Sequence, residues 1–279
     1  MILVTGVNGQ LGYDVVKELN RRNIECLGID KDELDITDYI AVDKYISELE
    51  PECVVHCAAY TAVDRAEDEE EICRKVNVYG TENIAKACEK VEAKMIYIST
   101  DYVFDGNGDE PFEVDGHIEP HSVYGKTKYE GELKVQEILE KYFIVRISWV
   151  FGINGNNFIK TMLRLGKEKE SLNVVCDQIG SPTYTADLAP LLCDMAVSEK
   201  YGVYHATNEG FCSWAEFAQE IMNQAGLSCK INPIPTSEYP SKAVRPFNSR
   251  MSKKSLLDNG FELIPNWKEA LKKYLDELN

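Results

Sequence analysis

The chain lacks the cysteine pairing, histidine spacing, basic surface and long apolar runs that mark several large classes of protein. Its nine cysteines (Cys26, Cys53, Cys57, Cys73, Cys88, Cys176, Cys193, Cys212 and Cys229) are odd in number, scattered, and include no C-x-x-C pair. A disulfide framework is therefore not expected, and the thiols read as buried groups of a reducing compartment. The four histidines, His56, His117, His121 and His205, do not stand at metal-ligand spacing from one another or from a cysteine, so no metal centre is expected. Positive charge is scarce. Thirty Lys and Arg against 47 Asp and Glu leave a net charge of −17, a field that repels a phosphate backbone, and no Lys/Arg stripe reverses it locally. Nucleic acid is excluded as an expected partner, whereas a phosphorylated small molecule would need local donors such as helix N-termini. No uncharged apolar run approaches the roughly 18 residues that span a bilayer. The opening Met1-Ile2-Leu3-Val4-Thr5-Gly6 reads as a strand entering a glycine turn, not as an export signal. A cytoplasmic protein with no membrane partner is the expectation.

What is present is an ordinary globular composition, with 44% apolar and 28% charged residues over 279 positions, enough for one large or two unequal domains. In the first half, continuous apolar runs at Ile2–Val4, Ile24–Ile29, Cys53–His56, Lys94–Ser99 and Phe143–Ile147 suit strands covered on both faces. Between them, Leu11–Asn20, Tyr39–Leu49, Ala66–Lys90 and Tyr124–Glu140 carry apolar residues three and four apart, with Asp38 and Asp64 placed to cap the second and third helices. The fold class is α/β, a doubly wound parallel sheet of Rossmann type. The rhythm loosens after Trp149. A dinucleotide-binding domain over residues 1–150 and a smaller C-terminal α/β substrate lobe over 151–279, with segments free to interleave, are expected. Four prolines fall in Pro233–Pro246, which reads as an ordered loop, and the long Asp101–His121 connection is of a length more often functional than idle.

Gly6-Val7-Asn8-Gly9-Gln10-Leu11-Gly12 sits where a strand turns into a helix, so that bare backbone meets a pyrophosphate at a helix N-terminus. Asp30 ends the second strand, at the distance expected of an acid that accepts hydrogen bonds from an adenosine ribose. A carboxylate there repels a 2′-phosphate and favours NADH, and the adjacent Lys31 offsets part of that repulsion and leaves NADPH open. Asp35 and Ile36 lie where an adenine edge would be lined, with helix capping by Asp35 or Asp38 the equal alternative for either acid.

Tyr124-Gly125-Lys126-Thr127-Lys128 puts a phenol and an ammonium at i and i+4 on one helix face. A neighbouring cation favours the phenolate, and bringing a phenol from about 10 to near 7 takes roughly 4 kcal/mol. A Tyr and a Lys four apart are common on exposed helices, so the pair gains weight from Ser99-Thr100-Asp101-Tyr102 at the end of the fourth strand, an edge where ligands sit. Thr100 is the expected hydroxyl partner of a carbonyl, and Ser99 is the weaker alternative because neighbouring strand residues point to opposite faces.

Together, the T-G-x-x-G-x-x-G turn at Thr5–Gly12, Ser99-Thr100 and the Tyr124/Lys128 pair resemble the extended short-chain dehydrogenase/reductases. Ala58–Asp64, Ser99–Gly106, Arg146–Gly152, Asn157-Phe158, Asp177–Thr183 and Arg245-Pro246 narrow the resemblance to the dTDP-4-dehydrorhamnose reductase family, over nearly the whole chain. That resemblance implies a nucleotide-sugar substrate whose C4 keto group is reduced by NAD(P)H. Thr100 would bond the keto oxygen, Tyr124 would protonate it, and Lys128 would hold the nicotinamide ribose. Gly6, Gly9 and Gly12 with Asn8, Gln10 and Leu11 would face the pyrophosphate, and Ala58, Ala59 and Tyr60 would line the cofactor. Tyr102 and Trp149 would flank the sugar, with Asn157 and Arg245 near its diphosphate. Core packing for Trp149, capping for Asn157 and an ordinary ion pair for Arg245 are the even alternatives. The resemblance also implies magnesium dependence, for which the sequence offers no carboxylate cluster, and a monomer or homodimer. Two rivals remain. An extended epimerase or dehydratase keeps the same motifs and recycles its hydride, and a non-catalytic nucleotide-binding regulatory subunit, like methionine adenosyltransferase beta, keeps the fold.

Overall fold

A computed structural model describes residues 1–278 of the chain. The five apolar runs form β1 (Ile2–Thr5), β2 (Cys26–Ile29), β3 (Cys53–His56), β4 (Lys94–Thr100) and β5 (Tyr142–Ile147). They pair in parallel with a sixth strand, Gly202–His205, in the order 202–205, β5, β4, β3, β1, β2. Strand periodicity sorts the core: Ile2 and Val4 of β1 enter one apolar cluster, whereas Leu3 enters the other. On the first face lie α1 (Gln10–Arg21) and residues 185–196, and on the second α2 (Tyr39–Leu49), whose N-terminus Asp38 caps by accepting from the Ile40 and Ala41 amides. Helices on both faces of a parallel sheet make the doubly wound architecture. The strand at 202–205 and the helix at 185–196 belong to this layer although they follow residue 150.

The expected helix over Ala66–Lys90 is instead broken into α3 (Val63–Ala66), α4 (Glu70–Arg74), a π-helical turn (Lys75–Gly80) and α5 (Thr81–Lys90). The interruption has a tertiary cause: Asn77, 1% exposed, turns inward and brackets Tyr60, accepting from its amide at 2.8 Å and donating to its carbonyl at 3.1 Å. Asp64 does not cap a helix as expected. It lies within α3 and accepts from the Ala243 amide at 3.1 Å and the Arg245 guanidinium at 2.8 Å. The catalytic-motif helix α6 runs over Val123–Ile138, capped by Ser122, which accepts from the Gly125 amide.

The remaining lobe packs α7 (Phe158–Glu168), α8 (Trp214–Gln224) and the helix Trp267–Leu278 with short strands, around a core that includes Phe151, Phe217, Trp267 and Tyr274. The Pro233–Pro246 segment is not loop throughout. Pro233 lies inside the strand Lys230–Ile234, which pairs with Ser171–Val175 in a two-stranded sheet, and an edge strand tolerates a missing amide. The Asp101–His121 connection folds on itself through a Phe104–Ile118 bridge and reaches the second lobe through a Phe112–Met251 bridge. Val103, Phe104 and Met251 form its own apolar cluster. Among the described residues no helix is long and apolar enough to cross a membrane, and all nine cysteines are free thiols.

Candidate active site

In the strand order 2-1-3, the sheet reverses direction of winding between β1 and β3, and ligands of such folds bind outside the carboxyl ends of the strands there. A cleft of about 760 Å³ opens at that place and extends past β4 to Trp149. Gly6, Asn8, Gly9, Gln10, Leu11 and Gly12 line one end. Two of the glycines are dictated by geometry. Gly6 has φ +72°, and a Cβ there would lie 2.7 Å from the Ala58 amide nitrogen; a Cβ on Gly12 would lie 2.4 Å from the Gly6 carbonyl oxygen. The turn is thus bare backbone opening onto the N-terminus of α1, which fits a dinucleotide pyrophosphate.

Asp30 stands beside this turn and holds it, accepting from the Asn8 amide at 2.9 Å through one oxygen and from the Lys31 amide at 2.8 Å through the other. Asp35 and Ile36 also line the cleft. Asp38 is the cap, so Asp35 is free for a different turn: it accepts from the Thr37 hydroxyl and amide at 2.7 and 2.9 Å, which hold its carboxyl below the usual range. Ala58, Ala59 and Tyr60 follow β3 along the cleft wall. Their loop is fixed by the Ala58 amide on Thr5 Oγ1 at 3.2 Å and by the Asn77 bracket, and Tyr60 donates its hydroxyl to Glu69 at 2.5 Å. Behind it His56, fully buried, bonds Thr5 and Thr81, and burial followed by the Lys128 charge pushes its imidazole down to about 3. It is a neutral fastener of β1, β3 and α5.

Thr100, Tyr124 and Lys128 come together at the centre of the same cleft. Tyr124 presents its ring edge-on to Tyr102, with centroids 5.6 Å apart. Burial raises the Tyr124 phenol well above its ordinary value, the Asp101 carboxyl adds to this, and a hydrogen bond with Thr100 opposes it. The lowering expected of a neighbouring cation is therefore not found: desolvation is the largest influence on this phenol and raises it. Lys128 itself is 2% exposed, its Nζ stands 4.1 Å from the Tyr97 ring centroid, and burial pushes its ammonium down to about 7, with Glu132 acting against that. A lysine lowered in the folded state binds fewer protons folded than unfolded, so its cost is full below its folded pKa and disappears as pH rises toward the unfolded value of about 10.4. Lys128→Met is accordingly expected to raise the Tm more at about pH 6 than at about pH 10, in thermal melts followed by circular dichroism.

Tyr102 and Trp149 line the far end of the cleft. Trp149 adopts φ +48°, a strained conformation for a bulky residue, and stacks on Trp214 with centroids 3.7 Å apart. Asn157 and Arg245 do not line the cleft. Asn157 caps α7 by accepting from the Lys160 amide, and its amide nitrogen donates to Gly152, Gln10 and Tyr274, so its polar atoms are committed. Arg245 is ion-paired to Asp64 at 2.8 Å and sits against Tyr102, whose phenol burial pushes up to about 12.

Two features escaped the sequence. Asp101 lines the cleft and is 3% exposed. Glu132, four residues beyond Lys128, forms a buried two-point ion pair with Arg146, Oε1 to Nε at 2.9 Å and Oε2 to Nη2 at 2.7 Å, and also accepts from Ser99 at 2.5 Å. The i, i+4, i+8 stripe Tyr124, Lys128, Glu132 was the available signal. Among the described residues no three His, Cys, Asp or Glu side chains gather to hold a metal ion.

The family model for the RmlD substrate binding domain matches residues 1–279. The dTDP-4-dehydrorhamnose reductase of Aggregatibacter actinomycetemcomitans is 41% identical, with 97% of each chain covered. A crystal structure of a dTDP-4-dehydrorhamnose reductase from Clostridium acetobutylicum superposes with TM-score 0.97 at 44% identity, covering 99% of each chain. That of the Bacillus anthracis dTDP-4-dehydrorhamnose reductase, in complex with NADP, gives 0.96 at 44% identity, covering 99% of this chain and 98% of that one. With the glycine turn, the Tyr124/Lys128 helix and Thr100 disposed along one cleft, and with likeness running from end to end, this chain belongs to the dTDP-4-dehydrorhamnose reductase family of extended short-chain dehydrogenase/reductases.

Proposed function

We propose that the protein reduces the C4 keto group of dTDP-4-dehydro-L-rhamnose, or a close nucleotide-linked 4-keto-deoxysugar, to give dTDP-L-rhamnose. One observation carries the reading: a phenol, a hydroxyl and a buried ammonium converge in the middle of a cleft whose one end is a pyrophosphate turn and whose other end is walled by aromatic rings. When bound, the reduced nicotinamide supplies the hydride. The chain's residues do the rest. Thr100 donates a hydrogen bond to the keto oxygen, so charge developing there meets an oriented dipole in a site shielded from water. Tyr124 gives that oxygen its proton, and its raised phenol ensures that the acid form is present when substrate arrives. Lys128 binds the nicotinamide ribose. Tyr102 and Trp149 flank the sugar. Arg245 and Asn157 reach the diphosphate only if their present partners release them.

For the cofactor, Asp30 supports a preference for NADH, Lys31 opposes it, and the NADP held by the Bacillus anthracis relative supports a small margin. Asp30→Ala is expected to move the ratio of kcat/KM values toward NADPH by about tenfold, or ~1.4 kcal/mol of relieved repulsion. An unchanged ratio would separate this acid from the ribose. Nine unpaired thiols support a cytoplasmic setting.

The reading is tested by following reduced-cofactor absorbance with a panel of dTDP-4-keto-sugars. One cofactor oxidised per ketone lost supports it. A sugar converted with no net cofactor consumption supports the epimerase class instead.

A further inference from the structure

The aromatic end of the cleft owes its order to a residue that does not line it. Trp149 faces the cleft from a left-handed backbone, φ +48°, a conformation that a bulky side chain keeps only where its surroundings over-determine it. They do so here. The Thr183 amide donates to the Trp149 carbonyl at 3.1 Å and the Thr183 hydroxyl to the Ser148 carbonyl at 2.6 Å, which fixes the backbone. The indole rests against bare backbone at Gly180, where a Cβ would come within 2.9 Å of Trp149 Cε2 and 3.1 Å of Cζ2. Trp214 stacks on the same indole, with centroids 3.7 Å apart and planes 15° from parallel. Strand pairing brings these partners together: Cys212 pairs with Gly180 and Ser213 with Ile179, and Trp214 follows directly. Trp214 is itself held. It opens α8 behind a reciprocal cap, in which the Ser213 hydroxyl accepts from the Glu216 amide at 3.1 Å and Glu216 accepts from the Ser213 amide at 2.7 Å. Its ring is backed by Phe158 of α7, with centroids 4.7 Å apart. An unbroken line of aromatic contact thus runs from the second lobe through Trp214 to the cleft.

We propose that Trp214 is a positioning residue for sugar recognition: with Gly180 it holds the Trp149 indole as a preformed wall for the apolar face of the 4-keto-sugar, a role that rests on the reductase reading. A side chain ordered in advance loses no rotamer freedom when substrate binds. An indole face, electron-rich at its centre, suits C–H bonds. A deoxysugar has fewer hydroxyls to strip of water at such a surface than a fully hydroxylated one.

Trp214→Leu removes the stack and keeps an apolar side chain at the start of the helix. It is expected to raise the KM for the dTDP-4-keto-sugar about tenfold, the scale of one aromatic contact, with a smaller change in kcat and none in cofactor affinity. Competitive inhibition by dTDP, which carries no sugar, should stay at its wild-type strength. Gly180→Ala disturbs the same indole without touching Trp214 and is expected to raise the same KM, whereas Trp214→Phe restores a ring and should recover most of the loss. The wild type, which needs no variant to fold, is expected to show the exciton couplet of two stacked indoles in far-ultraviolet circular dichroism, and Trp214→Phe to lack it; the third tryptophan, Trp267, meets the Phe217 ring instead. An unchanged KM in Trp214→Leu or Gly180→Ala, a dTDP inhibition constant that rises with the KM, or a wild type without the couplet overturns the positioning role while leaving ketone reduction intact. A wild-type protein that oxidises no cofactor with any dTDP-4-keto-sugar overturns the reductase reading and the sugar wall together.

Discussion

Tyr124→Phe is expected to bind reduced nicotinamide cofactor with unchanged affinity and to lose at least about a hundredfold in turnover, the usual cost of removing a general acid. The substitution deletes one hydroxyl and leaves the ring, with its edge contact to Tyr102 at 5.6 Å, where it was. On the proposed reading, cofactor affinity is carried by the glycine turn, Asp30, the Ala58–Tyr60 wall and Lys128, all of which the substitution leaves in place. Fluorescence titration and single-turnover kinetics separate the two quantities. Equal turnover would remove Tyr124 from the chemistry. A phenol raised by burial stays protonated across the working range. The expectation of a phenol acidified by a neighbouring positive charge was incomplete because it counted the charge and not the desolvation.

Arg146→Met should produce the largest loss of stability, about 3–5 kcal/mol by urea unfolding, since it leaves one member of a buried ion pair uncompensated. Arg146 is 4% and Glu132 1% exposed at the side chain. The guanidinium also donates to the Val114 carbonyl at 3.0 Å and thereby fastens the Asp101–His121 connection to β5. Adding Glu132→Leu removes the stranded carboxylate and should recover much of the loss, as matched apolar replacements of buried pairs do. It would also withdraw the charge that keeps the Lys128 ammonium from falling further, so the double variant should be stable yet slower. Full activity in that variant would show Glu132 to be structural alone.

How much of this could be read in the sequence differs from residue to residue for physical reasons. The five strands were legible because a doubly covered strand must be apolar throughout, and Asp38 because capping is a local hydrogen bond. The break at residues 75–80 was not, because it is set by Asn77 reaching Tyr60, seventeen residues away. Asp64 looked like a cap for the same local reason that Asp38 is one, but its oxygens are taken by a segment about 180 residues further on. The glycine turn, Asp30, Thr100, Tyr124 and Lys128 line one cleft, and they were legible as candidates because spacing read together with strand ends and one helix face puts them there. Asn157 and Arg245 came from resemblance, and local partners occupy both in this structure. Asp101, Glu132 and Arg146 passed unnoticed because their significance is burial, which a charged letter in a sequence conceals.

The central claim is that hydride reaches carbon and a phenolic proton reaches oxygen at one sugar carbonyl. It is tested most directly by running the reaction with reduced cofactor carrying deuterium at both nicotinamide C4 positions and reading the product by mass spectrometry and proton NMR. The account predicts one deuterium, at sugar C4, in each product molecule. Product with protium at C4, or deuterium retained in the cofactor while the sugar is converted, would contradict it.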